Sequence, residues 1–477
     1  MGMVLTTSSE GEQNMKTLKK TSWIAKGLVL GASLLWVPTS AVAGPYGYDL
    51  HNVLSPKAAG MAGTTIAGDH AGPVEAVYGN PANLADFYAA RTGQTAGTQF
   101  TFGATLYHPE AIARHNGNIT SLAGGGRFRE RSQAESYAVP QVAFTQDLSG
   151  VGVPVVLGGG VSAVSGIGVD WRSNPNALGV GAEFIVLGVN LGAGYEVMPG
   201  LDVGFAATVS YAMLEAGLAG TSGQAHDYGI RGTLGADYQL TEATNIGFYY
   251  QTELRHNWNN FVNLANDTDG SGDIQTSEAH YSDLDIEQPA NFAFGVSHKF
   301  ADNVRVAADV IFKRWSEAAF WERIYHDQTA FSIGGEYDHG PWTFRAGYGY
   351  ANNPNRSTVD PRALEGYNFI CTSSVGVAGN LPCLPLIGGV GGAVWSWIQA
   401  MEGPVIYKHR VSAGFTYNGF LAPFLDLDVH IAHQLQEEEW YDAPNAPNPA
   451  GGTFDFQNHT ELDVQSWHGG FALTWAF

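Results

Sequence analysis

Gly470-Phe471-Ala472-Leu473-Thr474-Trp475-Ala476-Phe477 alternates large apolar side chains with small ones. Successive residues of a strand point to opposite faces. Phe471, Leu473, Trp475 and Phe477 therefore share one side, and Gly470, Ala472, Thr474 and Ala476 the other. A strand so divided suits a wall with lipid on the first face and a lumen on the second.

Working back from this segment, the same unit recurs to about residue 91. Each repeat is an alternating stretch of some ten residues followed by a tight turn or a long polar loop. The strands fall near 92–107, 137–147, 154–165, 183–198, 201–214, 228–240, 244–256, 289–300, 304–315, 328–338, 341–350, 407–418, 423–435 and 463–477. Short connections such as Pro199-Gly200 and Glu242–Asn245 carry Gly, Pro, Asn and Asp, as turns require. Longer connections lie near 108–136, 166–182, 215–227, 257–288, 316–327, 351–406 and 436–462. That asymmetry is expected of a bacterial membrane barrel, with hairpins at one end and loops at the other. The expected fold is all-β: an antiparallel outer-membrane β-barrel of about fourteen strands. Composition agrees: 14% charged residues, 12% aromatics and 61 glycines, with no long apolar helical run after the leader.

The leader reads as a signal peptide. Lys16, Lys19, Lys20 and Lys26 precede the apolar run Gly27–Val37, and Ala41-Val42-Ala43 forms an Ala-x-Ala cleavage site. Residues before Met15 read as an over-extended start. Residues 1–43 would be removed, 44–90 would follow as a separate Ala/Gly-rich region, and 91–477 would form the barrel. Losing the leader's four lysines and two glutamates changes the formal charge from −22 to −24. So acidic a chain excludes nucleic acid as a partner. Cys371 and Cys383 both lie in the exported part, where a disulfide between them is expected.

The Ala/Gly-rich region contains Ser55-Pro56-Lys57-Ala58-Ala59-Gly60-Met61-Ala62-Gly63, Ala67-Gly68-Asp69 and Asn80-Pro81-Ala82-Asn83-Leu84. Gln288-Pro289 opens one candidate strand, and Phe312–Trp315-Ser316 closes the next. On these residues the chain resembles the FadL family of hydrophobic-compound transporters. The resemblance implies an N-terminal hatch in the barrel, with Asn80, Pro81 and Ala82 in its gating turn. It also implies passive uptake of fatty acids, alkanes or aromatic hydrocarbons, with lateral release through a break in the third strand. Gly158, Gly159 and Gly160, with Gly166–Gly168, would weaken that strand. Arg314 and Arg323 are the candidates by region for meeting a substrate carboxylate. Outer-membrane lipid and lipopolysaccharide are the expected surroundings of a monomer without an organic cofactor. The competing class is an adhesin or structural barrel that transports nothing.

Enzymatic readings find little support, because HExxH, GxSxG and GxxxxGK[ST] are all missing. His430 and His433 would point to opposite faces of one strand. Trp258, Trp315, Tyr350, Tyr407 and Trp440 read as interfacial girdle residues. One loop carries a metal pattern. Asp267, Asp269 and Ser271 stand at positions 1, 3 and 5 of a calcium loop, Gly272 at the turn, Asp273 at position 7 and Glu278 at position 12. A structural calcium site is expected there.

Overall fold

Fourteen antiparallel strands close into a barrel. In this computed structural model the described residues are 49–88, 97–117, 125–134, 136–177, 179–216, 224–263, 281–323, 325–356, 400–403, 406–442, 446–447, 453–454 and 459–477. The wall consists of β1 (Gln99–His115), β2 (Tyr137–Asp147), β3 (Val156–Asp170), β4 (Gly181–Met198), β5 (Leu201–Ala216), β6 (Ala225–Thr241) and β7 (Thr244–Gln251). It continues through β8 (Asn291–Ala301), β9 (Val304–Lys313), β10 (Gln328–His339), β11 (Trp342–Ala351), β12 (His409–Tyr417), β13 (Leu425–Asp442) and β14 (His459–Ala476). Each pairs with its sequence neighbour, and β14 returns to β1 in register from Gln99↔Ala476 to His115↔Thr460. Closure leaves neither the first nor the last strand with a free edge toward hydrocarbon, which cannot satisfy backbone groups.

The alternation read from the final segment is realised in β14: Phe471 is 47% exposed and Ala472 is buried. The outward faces of β4 to β6 carry exposed Leu191, Phe205, Val209, Ile230 and Leu234. His430 is buried while His433 stacks outside on Trp467, ring centroids 3.8 Å apart.

Several expected boundaries need correction. β13 and β14 extend well beyond 435 and 463 toward the outer side, because alternation with an apolar outward face ends before the pairing does. There Glu461 and Asp463 pair with Arg114 of β1. The seventh strand stops at Gln251, and Leu254–Asn263 forms a separate hairpin with Tyr281–Gln288. Of the five expected girdle residues, Trp440 and Tyr350 are on the exposed surface. Trp258, Trp315 and Tyr407 are buried inside instead. Proximity to a strand end had suggested an interface, whereas their neighbours form an internal apolar cluster.

Residues 1–43, the calcium-pattern loop 267–278, Cys371, Cys383 and the run Leu384–Trp397 lie outside the described residues.

Candidate functional site

Asp49 to Tyr88 lies inside the barrel as short turns, not as a strand. Pro56, Pro73 and Pro81 each open a helical turn, where the missing N–H of proline costs nothing. The pieces are a 3-10 turn His51–Leu54, α1 (Pro56–Gly60), α2 (Pro73–Tyr78) and a second 3-10 turn Pro81–Phe87. Turns this short leave many backbone groups without internal partners, and buried ones must find them elsewhere.

The wall supplies them. Asp309 accepts from the backbone N–H of Thr65 at 2.8 Å and of Ile66 at 3.1 Å. Asp237 accepts from Gly68 N–H at 2.9 Å, and Ser412 from Ala62 N–H at 2.9 Å. Thr105 donates to the Leu54 carbonyl at 2.9 Å, and Arg410 donates to that of Ala62. Asn80 is the hinge of this network. Its Oδ1 caps Ala82 N–H at 3.1 Å, while its Nδ2 donates to Ile66 in the segment at 2.7 Å and Ala236 in the wall at 3.1 Å. Asn80 and Ala82 are fully buried. The expected Asn80-Pro81-Ala82 motif thus ties the segment to β6.

The wall is interrupted beside this segment. β3 pairs with β4 along its length, with a bulge between Ala163 and Ser165. On its other side it pairs with β2 only from Val156 to Val161. Tyr137–Gln141 of β2 has β1 as its ladder partner and leaves its other edge to the gap. Asp49 and Leu50 occupy that gap. Asp49 bridges to Ser165, and Leu50 N–H donates to the Val164 carbonyl at 2.9 Å. Gln133 N–H closes the outer limit by donating to Asp170 at 2.7 Å. The expected weak point, Gly158–Gly160, is fully paired on both sides. The interruption begins at Ser162, because what displaces β2 is the arriving N-terminal segment and not glycine in the strand. Gly158 instead meets the side chains of Leu84 and Val77.

Asp49 is also held through its carboxylate. Oδ2 lies 3.2 Å from Lys313 Nζ and 3.3 Å from His51 Nε2, and accepts from Asn291 at 3.1 Å. Oδ1 lies 3.8 Å from Arg231. Burial alone would push this carboxyl up, but His51, Lys313 and Arg231 hold it well below the usual carboxylate range. Burial lowers His51 to about 4, against the pull of the Asp49 carboxylate. The expected basic residues are elsewhere: Arg314 points outward and pairs with Glu317, and the Arg323 side chain is outside the described residues. Lys313 is the inward one, one residue along. Replacing Asp49 with alanine leaves Lys313 and Arg231 buried without their carboxylate, a loss of about 3–5 kcal/mol. Hydrogen exchange should then show faster exchange at Leu50 and Val53, with the β12–β14 amides unchanged.

Above the segment, toward the outer end, an apolar cluster fills the described lumen. Its aromatic members include Trp171, Phe184, Trp258, Trp315, Trp321 and Tyr325. Trp315 meets Tyr325 edge to face at 5.3 Å and 88°, and Trp321 at 6.0 Å and 83°. Such edge-to-face contacts are favourable because ring edges are positive and faces negative. Val164, Ile167 and Val169, all on the stretch of β3 that β2 leaves bare, belong to the same cluster.

A family model described as outer membrane protein transport protein (OMPP1/FadL/TodX) matches residues 51–363. Among solved structures, the toluene transporter TodX of Pseudomonas putida is 18% identical, with a TM-score of 0.57 over 91% of this chain and 99% of that one. The toluene transporter TbuX of Ralstonia pickettii is also 18% identical, with a TM-score of 0.55 over 88% and 98%. A FadL homologue of Pseudomonas aeruginosa is 12% identical, with a TM-score of 0.59 over 92% and 100%. No curated protein matches by sequence.

Proposed function

The chain belongs to the outer membrane protein transport family (OMPP1/FadL/TodX), and from that premise we propose that it takes up small hydrophobic molecules, aromatic hydrocarbons foremost, by lateral release. One observation carries this reading. The apolar cluster of the outer lumen continues onto Val164, Ile167 and Val169, at the gap that Asp49 and Leu50 fill. A solute captured among Trp315, Trp321 and Tyr325 therefore has an apolar surface leading to the wall. Displacing the N-terminal segment would open that gap to lipid.

The physical problem is the polar lipopolysaccharide layer. A water-filled pore offers a greasy solute nothing, whereas an apolar interior favours it by about 0.8 kcal/mol per buried methylene. Movement from that interior into lipid is downhill and needs no energy source. The edge-to-face packing of the lining favours aromatic solutes, and the toluene transporters named above have the same fold.

Carboxylates form a second substrate class, favoured by a different observation. Lys313 and Arg231 both face the carboxylate of Asp49, so the lumen presents basic groups to which an acidic ligand would be drawn.

Uptake of labelled toluene and dodecanoate in cells lacking the gene, with and without a plasmid copy, tests the proposal. The plasmid copy should raise uptake of at least one several-fold while leaving a hydrophilic sugar unchanged. Equal uptake of both compounds in both strains would leave an adhesin or structural barrel as the better reading.

A further inference from the structure

Beyond β1 from the gap, polar side chains of four neighbouring strands converge inside the lumen. Gln434 of β13 stands between Arg410 of β12 and Ser466 of β14 in register. His468 lies two residues on from Ser466, opposite Tyr107 of β1. Gln434, His468 and His430 are 0%, 1% and 3% exposed. The hydrogen-bond inventory does not close. Gln434 Oε1 accepts from both Tyr107, at 3.0 Å, and Ser466. Its Nε2 has no hydrogen-bond partner among the described residues; nor do either nitrogen of His468 or Nδ1 of His430. Turning the Gln434 amide over exchanges which atom is left over without removing the deficit.

Four unsatisfied atoms gather here on two adjacent strands, and each buried one costs free energy that a partner would return. Their position is informative too. On the lumen face of β14, Leu462 and Val464 belong to the outer apolar cluster, and Ser466 and His468 follow them inward. Below, Thr105 and Arg410 bind the carbonyls of Leu54 and Ala62 in the N-terminal segment. The polar group thus lies directly beneath the apolar cluster, an arrangement that would orient a ligand by its one polar end.

We propose that Gln434 and His468 form a recognition site for the hydroxyl group of an otherwise apolar compound, such as a phenol. A hydroxyl both accepts and donates. It would accept from the Gln434 amide and donate to an unpartnered ring nitrogen of His468, while its hydrocarbon body lies against Leu462 and Val464. This deepens the uptake reading above and rests on it: the preferred solutes are hydroxylated hydrocarbons.

The pair p-cresol and p-xylene tests this, because they differ by a hydroxyl in place of a methyl. Calorimetry on the detergent-solubilised full chain should show p-cresol binding tighter by at least about tenfold. Gln434→Leu combined with His468→Phe should erase that preference and leave p-xylene affinity unchanged. Heat-modifiable migration checks that the variant is assembled. If it fails to assemble, the wild-type comparison decides alone. Equal wild-type affinities would mean that the site holds only internal water, and would overturn the proposal without touching hydrocarbon uptake. Loss of both ligands together in an assembled variant would assign these residues a purely structural role. No binding of either compound would remove the site together with the reading of the apolar cluster as a capture region.

Discussion

Replacing Gly204 or Gly347 with valine is expected to open the lumen while the barrel stays assembled in the membrane. Both glycines face inward from the wall and meet backbone, not side chains. A Cβ at Gly204 would stand 2.2 Å from the carbonyl carbon and oxygen of Pro81. At Gly347 it would stand 2.3 Å from the carbonyl carbon of Met61. Backbone atoms cannot swing aside as a flexible side chain can. Valine itself suits a strand, and neither glycine has a positive φ, so the wall tolerates the change. The strain of about 1–3 kcal/mol or more therefore falls on the docked segment. Two such sites, on β5 and β11, hold different parts of it and should add. In planar bilayers the double variant should show a large increase in conductance over the wild type. Unchanged conductance from an assembled double variant would mean that residues 49–88 do not block the lumen.

How much of this was legible beforehand follows from what is local. Strand and turn periodicity is local, and the final segment, the short connections and the closing strand were read from it. The Ala/Gly composition before the first strand was legible too, and its reason is now physical: small residues on both sides let segment and wall backbones approach. Lys313 was within reach and missed. Phe312 is 43% exposed, so strict alternation turns Lys313 inward and Arg314 is already past the strand end. Arg231 follows the same rule beside Ile230, which is 73% exposed. The family resemblance implied a break in the third strand, but the cause of that gap was not legible. It arises because Asp49 and Leu50 take the place of β2 beside Val164 and Ser165, and such long-range competition leaves no periodic trace in β3. Glycine content pointed to Gly158–Gly160, where pairing is intact, and to Gly166–Gly168, which lie on the stretch that β2 leaves bare.

The central claim is that solutes leave through this gap once Asp49 and Leu50 withdraw. Leu50 and Val164 are neighbours across a short antiparallel contact, both buried. Cα atoms of such a pair are about 4.5–5.5 Å apart, within the range a disulfide spans. Leu50→Cys with Val164→Cys, in a background with Cys371→Ser and Cys383→Ser, would therefore lock the segment to β3 under oxidising conditions. The cross-link leaves the outer apolar cluster in place, so capture of solute should persist while release stops. The decisive measurement is uptake of labelled toluene by cells carrying this variant, before and after reduction. The account predicts uptake at the level of cells lacking the gene when oxidised, and recovery toward the wild-type level on reduction. Wild-type uptake by the fully cross-linked protein would contradict it.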